Sequence, residues 1–336
     1  MPNPLPDPTT RVMQLLWPGA FATQAVHAAA RLGVADTLAD GPRSAEDIAN
    51  AAGANADFTR RLLRALISLE IFREDDDGRF HNTPLSEALQ RGSPARAWAM
   101  MLGAPFVWRP WGQLYDAVMT GGCAFDAVFA TPFDEYMAAH PEEADAYNTA
   151  MDVNASMAAA SVVAAYDFSA YETIVDVGGG RGALLAAILN ANPKSRGVLF
   201  DLPGVVANRD TLRIARFGER CAVEGGDFFV RVPGGDALVL KSIIHALSDA
   251  QAAQVLRNCR NALNPKGRLM LIETILDAAG APNPQKALMD LMMLTLTNGH
   301  ERTAADFEAL LPEAGFELTR VVPTDRGNAV IEAATR

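Results

Sequence analysis

Apolar residues recur with two different periods along this chain. Thr10 to Leu32 is Ala-rich and apolar at helical spacing, and Pro18-Gly19 interrupts it, which predicts two helical pieces. Their apolar load is high for a surface helix, so burial against something large is expected. Ser44-Ala45-Glu46-Asp47 opens the next helix, with Ser44 as N-cap and Asp47 three residues on, and Gly53 closes it. A helix over about Ala56 to Leu69 sets Leu62, Leu63, Leu66 and Leu69 on one side. Two short strands follow, Ile71-Phe72-Arg73 and Arg79-Phe80-His81, joined by Glu74-Asp75-Asp76-Asp77-Gly78. Helix, turn, helix and β-hairpin make a winged helix.

From Tyr166 onward strands alternate with helices. The first strand, Thr173-Ile174-Val175, ends at Asp176, and the second, Val198-Leu199-Phe200, at Asp201. Ala222-Val223-Glu224 leads to Asp227, and Ala237-Leu238-Val239-Leu240 leads to Lys241. After a helix over about Asp249 to Leu263, Asn264-Pro265-Lys266-Gly267 turns into a fifth strand, Arg268 to Ile275. A Met-rich helix (Gln285 to Leu296), another helix (Thr303 to Ala314) and two closing strands complete the chain. The pattern predicts an α/β fold, a doubly wound, mostly parallel Rossmann-like sheet with an antiparallel edge hairpin, behind a mostly α winged-helix domain.

Between the first strand and the helix Ala183 to Leu189 lies Asp176-Val177-Gly178-Gly179-Gly180-Arg181-Gly182. Strand, glycine turn and helix build a cofactor site at the carboxyl end of a first strand, and Asp201 stands where a carboxylate would accept from a ribose. Gly178, Gly180 and Ala183 satisfy the spacing of a nicotinamide dinucleotide site and suit S-adenosylmethionine equally. Further polar groups recur just past the strand ends: Asp227, Lys241, His245, Glu273 and Glu301. In an open α/β sheet those ends share one rim.

Composition narrows the choice of partner. The formal net charge of -11 opposes nonspecific binding to nucleic acid or anionic membrane. The winged helix raises a DNA-binding regulator as a rival function, with Arg60, Arg61 and Arg64 on the helix that would enter the major groove. Its wing tip carries four acids where a DNA reader needs cations, which favours packing or dimerisation instead. Cys123, Cys221 and Cys259 are widely spaced and read as free thiols in a reducing cytoplasm. No signal peptide is evident at the first residues, and no apolar run is long enough to cross a bilayer. Residues 98 to 147 hold ten aromatics, including Trp108, enough for an aromatic core with some left to wall a flat pocket.

Five motifs in order carry a resemblance: the glycine stretch from Asp176; Phe200-Asp201-Leu202-Pro203; Gly226-Asp227-Phe228-Phe229; Leu240-Lys241-Ser242-Ile243-Ile244-His245; and Gly299-His300-Glu301-Arg302-Thr303. With the winged helix ahead of them, the chain resembles S-adenosylmethionine-dependent O-methyltransferases of the plant caffeate and acetylserotonin type and their bacterial antibiotic-pathway relatives. The dinucleotide reading accounts for one motif only. The resemblance implies that Gly178 and Gly180 pass under the methionine portion of the cofactor. It implies that Asp201, with Leu202 beside it, takes the ribose, that Asp227 and Phe228 hold the adenine, and that Lys241 reaches the cofactor. His245 is implied as general base, flanked by Glu273 and Glu301, with S-adenosylhomocysteine as product. The winged helix is implied to make a homodimer, N-terminal helices of one chain closing the partner's pocket.

Three domains are expected: a winged-helix dimerisation domain (1–105), a helical linker lining the acceptor pocket (106–165) and the catalytic domain (166–336). Trp108, Met151, Asp290, Met293 and Asn298 would bound a pocket for a mid-sized, flat, mostly apolar acceptor with a hydroxyl. No clustered ligand set for a catalytic divalent metal is visible. One departure stands out: the resembling enzymes usually follow the base with Asp and Trp, whereas His245 is followed by Ala246-Leu247. Members that bind the cofactor but catalyse hydroxylation or rearrangement therefore remain an alternative.

Overall fold

The computed structural model describes residues 7–207, 212–276 and 283–336. They form two compact units, one up to Trp108 and one from Arg109 onward. The helices over 109–165 thus belong with the second unit.

The first unit opens with one helix, Pro8–Leu32, where two pieces were expected. Asp7 caps it, accepting from the Thr9 and Thr10 amides at 3.0 and 3.2 Å, and Gly33 ends it in the left-handed conformation. Pro18 removes one hydrogen bond, to the carbonyl of Gln14, but that turn is exposed and water can take the carbonyl. The expected burial is not met within the chain. Val12, Met13, Leu15, Leu16, Trp17 and Phe21 are exposed, and only His27, Ala29 and Ala30 of the helix are buried.

The winged helix forms as the pattern predicts. Ser44 and Asp47 make a reciprocal capping box on Ala45–Ala52. Ala56–Ile67 buries Leu63 and Leu66. Strands β1 (Phe72–Glu74) and β2 (Phe80–Asn82) pair antiparallel, and Phe72 and Phe80 join Ala29, Val34, Leu38, Ile48, Leu63 and Leu66 in one core. Arg60 pairs with Glu46 at 3.0 Å and Glu74 at 3.8 Å. Asp75 at the wing tip takes the Asp77 and Arg79 amides and lies 2.6 Å from His81 Nε2.

The second unit is built on β3 (Thr173–Val177), β4 (Arg196–Asp201), β5 (Cys221–Gly225), β6 (Gly235–Lys241), β7 (Leu263–Leu276), β8 (Arg302–Thr303), β9 (Phe316–Pro323) and β10 (Asn328–Thr335). Strand order is β5-β4-β3-β6-β7-β10-β9, with the short β8 on β7. β5, β4, β3, β6 and β7 run parallel, while β10 is antiparallel to both β7 and β9. The order reverses at β3, so a crevice opens beyond the ends of β3, β4 and β6. Alternate residues face two cores, as a sheet covered on both sides requires. Val175, Val177, Leu238 and Leu240 pack with Val255, Leu256 and Phe316, whereas Ile174, Ala237 and Val239 pack with Leu184, Leu185, Ile188 and Met270. β7 already begins at Leu263, not after a turn at 264–267. It reaches Arg268 through an irregularity opposite Gly235 and Ala237, with Lys266 at φ 69°.

The helix Pro141–Ala165 is tied to the glycine loop by ion pairs. Arg181 donates to Asp145 at 2.6 Å and to Thr149 at 3.1 Å, and Arg213 donates to the buried Asp152 at 2.7 Å. The Arg213 amide donates in turn to the Arg181 carbonyl at 2.8 Å.

Candidate active site

The loop after β3 takes positive φ at Gly178 (69°), Gly180 (58°) and Gly182 (79°). A Cβ at Gly178 would also lie 2.5 Å from Ile243 Cδ1, so the Ile243 side chain would have to move aside. Asp201 holds this loop: Oδ2 accepts the Gly180 amide and Oδ1 the Leu202 amide, each at 2.7 Å. Burial pushes the Asp201 carboxyl up from its ordinary pKa, against those two hydrogen bonds. Leu202 is exposed beside it. Past β5, Asp227 Oδ1 accepts the Phe229 amide at 2.7 Å, and Asn258 donates to the Phe228 and Phe229 carbonyls at 2.8 and 2.9 Å. Gly178, Ile243 and Phe228 meet across the mouth of the loop.

β6 ends in Lys241, whose Nζ lies 3.1 Å from Ser242 Oγ. Burial lowers the Lys241 pKa, opposed by Glu273 and Asp176. Ser242 takes φ 55°, an uncommon conformation for a residue with a side chain. The chain then folds into a short 3₁₀ turn, Ile244–Ala246, that carries His245. His245 Nδ1 lies 2.9 Å from Glu301 Oε1. Burial works to lower the His245 pKa, but Glu273 and Glu301 outweigh it and leave the imidazole above its ordinary value. Glu301 is buried, and its amide donates to Asp290 Oδ1 at 2.8 Å.

Glu273, implied to flank His245, meets the backbone of the turn rather than the ring. Its Oε1 accepts the Ile243 and Ile244 amides at 3.0 and 2.8 Å, so it grips the backbone of the turn and reaches His245 only through its charge. Arg302 and Gly299 lie in a motif noted in the sequence but received no role there. Arg302 is buried and donates to the Ile244 carbonyl at 2.6 Å, the Leu247 carbonyl at 2.9 Å and Asp249 at 2.7 Å. A Cβ on Gly299 would lie 2.2 Å from the His245 carbonyl oxygen, so only glycine lets that segment pack on the turn. Ala246 sits in the turn and Leu247 in the core, in place of the usual Asp and Trp.

Of the expected pocket residues, Asp290 contacts the Glu301 backbone and Met293 is buried on the same helix, Pro284–Leu296. Asn298 is exposed with φ 58°, and Met151 is half-buried on Pro141–Ala165. Trp108 belongs to the first unit.

Asp176 Oδ2, Glu273 Oε2 and Glu301 Oε2 are buried carboxylate oxygens without a partner among the described residues. Burial, with the Asp201 charge nearby, pushes Asp176 up to about 7. A site with spare buried acceptors, an open glycine loop and a carboxylate at the second strand end suits a cationic nucleoside such as S-adenosylmethionine. Among the described residues no His, Cys, Asp and Glu group gathers as metal ligands, and no helix is long and apolar enough to cross a membrane.

A doubly wound sheet, a glycine loop and a His–Glu pair just past the end of β6 are the fold and site of a class I methyltransferase. Residues 111–317 match the O-methyltransferase domain and residues 15–92 the O-methyltransferase dimerisation domain; the chain belongs to the S-adenosylmethionine-dependent O-methyltransferase family of secondary metabolism. It is 40% identical over 330 residues to phenazine O-methyltransferase PhzM of Lysobacter antibioticus, covering 97% of this chain and 96% of that protein. It is 34% identical over 320 residues to phenazine-1-carboxylate N-methyltransferase of Pseudomonas aeruginosa, covering 94% of each. The crystal structure of LaPhzM superposes with a TM-score of 0.92 at 38% identity, covering 98% of this chain and 100% of that one. NcsB1 from neocarzinostatin biosynthesis, in complex with S-adenosylmethionine and 2-hydroxy-5-methyl naphthoic acid, gives 0.83 at 32% identity, covering 94% of this chain and 96% of that one. The winged helix is thus the family's dimerisation domain, and the dinucleotide and DNA-regulator readings fall away.

Proposed function

We propose that this enzyme methylates a phenolic hydroxyl of a small, flat aromatic or polyketide-like metabolite, with His245 as general base. The observation that carries the proposal is the pairing of the part-buried His245 with the buried Glu301 beside the glycine loop. With Nδ1–H donating to Glu301, the lone pair lies on Nε2 and is free to accept the acceptor's proton. S-adenosylmethionine supplies an electrophilic methyl group on a sulfonium. A phenol has a pKa of about 10 and an imidazole about 6.5, so complete proton transfer in advance would cost roughly 5 kcal/mol. His245 instead takes the proton as the new bond forms, and its raised pKa lessens the mismatch. Glu301 stabilises the imidazolium, and Glu273 adds its charge from behind the turn.

Gly178 and Gly180 are assigned to the methionine portion of the cofactor, Asp201 and Leu202 to the ribose, Asp227 and Phe228 to the adenine, and Lys241 to the cofactor's near side. Met151, Asp290, Met293 and Asn298 are assigned to the acceptor. The exposed apolar face of Pro8–Leu32 is assigned to a homodimer, and the chain to the cytoplasm.

The test is transfer of labelled methyl from S-adenosylmethionine to hydroxyphenazines and hydroxynaphthoic acids, the acceptor classes suggested by the relatives' names. O-methyl product, cut 10²–10⁴-fold by His245→Ala with unchanged cofactor affinity, is expected. A methyl on nitrogen would move the enzyme toward its N-methylating relatives, full activity in His245→Ala would remove the base, and cofactor binding with no transfer to any of these acceptors would overturn the acceptor class proposed.

A further inference from the structure

Arg302 occupies a position that a stability role alone does not explain. It is among the largest fully buried side chains, 1% exposed, and the carboxylate it hydrogen-bonds, Asp249, is itself 68% exposed at the side chain. Desolvating a guanidinium against a half-solvated carboxylate is unfavourable unless its other donors are well used. They are used on the turn that carries His245. Nη1 donates to the Ile244 carbonyl at 2.6 Å and Nη2 to the Leu247 carbonyl at 2.9 Å, so the planar fork spans the turn from one end to the other. From the opposite polarity, Glu273 Oε1 takes the Ile243 and Ile244 amides. Ser242 enters the turn at φ 55°, and Gly299 packs on the His245 carbonyl.

Arg302 follows Glu301 directly, and Glu301 holds the ring of the same histidine at 2.9 Å. In extended chain successive side chains point to opposite sides. One short segment, anchored by pairing of Arg302 with Ile275 on β7, therefore fixes the imidazole with one side chain and its backbone with the next. We infer that Arg302 is a positioning residue for His245, setting the backbone turn so that Nδ1 stays on Glu301 and Nε2 stays aimed at the acceptor. This rests on the reading of His245 as base.

Arg302→Lys keeps the charge but cannot span two carbonyls and Asp249 at once. With a hydroxyphenazine or hydroxynaphthoic acid that turns over, the single-turnover rate at saturating cofactor should fall 10–100-fold. S-adenosylmethionine affinity by calorimetry should stay within about twofold, because Arg302 makes none of the contacts around the glycine loop. The imidazole of His245, followed by proton NMR without any acceptor, should titrate at lower pH as its hold on Glu301 loosens. In a His245→Ala background the same substitution should cost nothing further. A wild-type rate and titration in Arg302→Lys, or an equal rate loss with and without His245, would overturn the inference. If Arg302→Lys is insoluble, Asp249→Asn releases the outer tether and should show the same pattern in a milder form; a wild-type rate and titration there would count equally against it. Full activity in His245→Ala strikes the base assignment itself, whereas a slow His245→Ala beside a normal Arg302→Lys strikes only the role of Arg302.

Discussion

Glu301→Gln tests the electrostatics of the site with the smallest change of shape. The amide retains an oxygen for His245 Nδ1, which now lies 2.9 Å from Oε1, but loses the charge. A hydrogen bond to a charged group contributes about 1.5–3 kcal/mol and a neutral one about 0.5–1.5, so the exchange removes roughly 1–1.5 kcal/mol. That is about one pKa unit. The His245 pKa is raised because Glu273 and Glu301 outweigh burial, so the variant's pKa must fall. A base works only when neutral, and the wild-type rate drops as pH falls through that pKa. In Glu301→Gln the acid limb should therefore move about one unit toward lower pH. The plateau should drop roughly tenfold, because the imidazolium formed during transfer loses the same charge. Single-turnover methyl transfer from pH 4.5 to 9 measures both. An acid limb that stays in place, or moves to higher pH, would refute the account of how these carboxylates act.

Three further outcomes are expected. Asp176 is raised to about 7, so between the ordinary carboxylate pKa and that value the folded protein holds a proton the unfolded chain has lost. Stability is greatest below the ordinary value and falls as pH rises through the window, by roughly 4 kcal/mol in all. Asp176→Asn should then be the more stable protein at pH 8 without cofactor, the gap closing toward pH 4 in urea unfolding. Gly299→Ala would bring a methyl 2.2 Å from the His245 carbonyl oxygen and 2.6 Å from the Ala246 carbonyl carbon; backbone must move, so transfer should fall at least tenfold while cofactor affinity holds, read by turnover and calorimetry. Light scattering should give about twice the chain mass of 35.9 kDa, and Trp17→Glu with Phe21→Glu, both on the exposed apolar face, should shift the protein toward monomer.

Local signals in the sequence were strongest where one residue decides a local geometry. Ser44 with Asp47 and the left-handed Gly53 marked helix ends that the structure retains. The alternation after Tyr166 marked β3 to β7 but not the two-residue β8; the central strands were the clearest, because strands covered on both sides are apolar on both faces. The signals failed where neighbours or solvent decide. Pro18 reads as a break, yet water can satisfy the carbonyl it frees. Asn264-Pro265-Lys266-Gly267 reads as a turn, and these four residues do stay unpaired with β6, but Leu263 ahead of them already pairs with Gly235, which moves the start of the strand forward. The site was legible as a set of strand-end residues but not as a wiring diagram. Glu273 and Arg302 are both charged residues near His245 in the fold, and nothing in their spacing says that they grasp amides and carbonyls. Such bonds depend on where the backbone groups of a three-residue turn point, which no side-chain pattern encodes.

The ion pairs between Pro141–Ala165 and the glycine loop bear on how this enzyme can be re-engineered. Asp145, Thr149 and Asp152 lie at helical spacing, and their partners Arg181 and Arg213 come from a different part of the chain. A chimera that imports the helix from a relative, to bring a new acceptor preference, would separate those partners. Arg181 and Arg213 would then be left without Asp145 and Asp152, and the glycine loop would lose the lateral hold that Arg181 gives it. The unit of exchange is therefore the helix together with both arginines, and residues such as Met151, which take no part in the pairing, are the ones open to substitution one at a time.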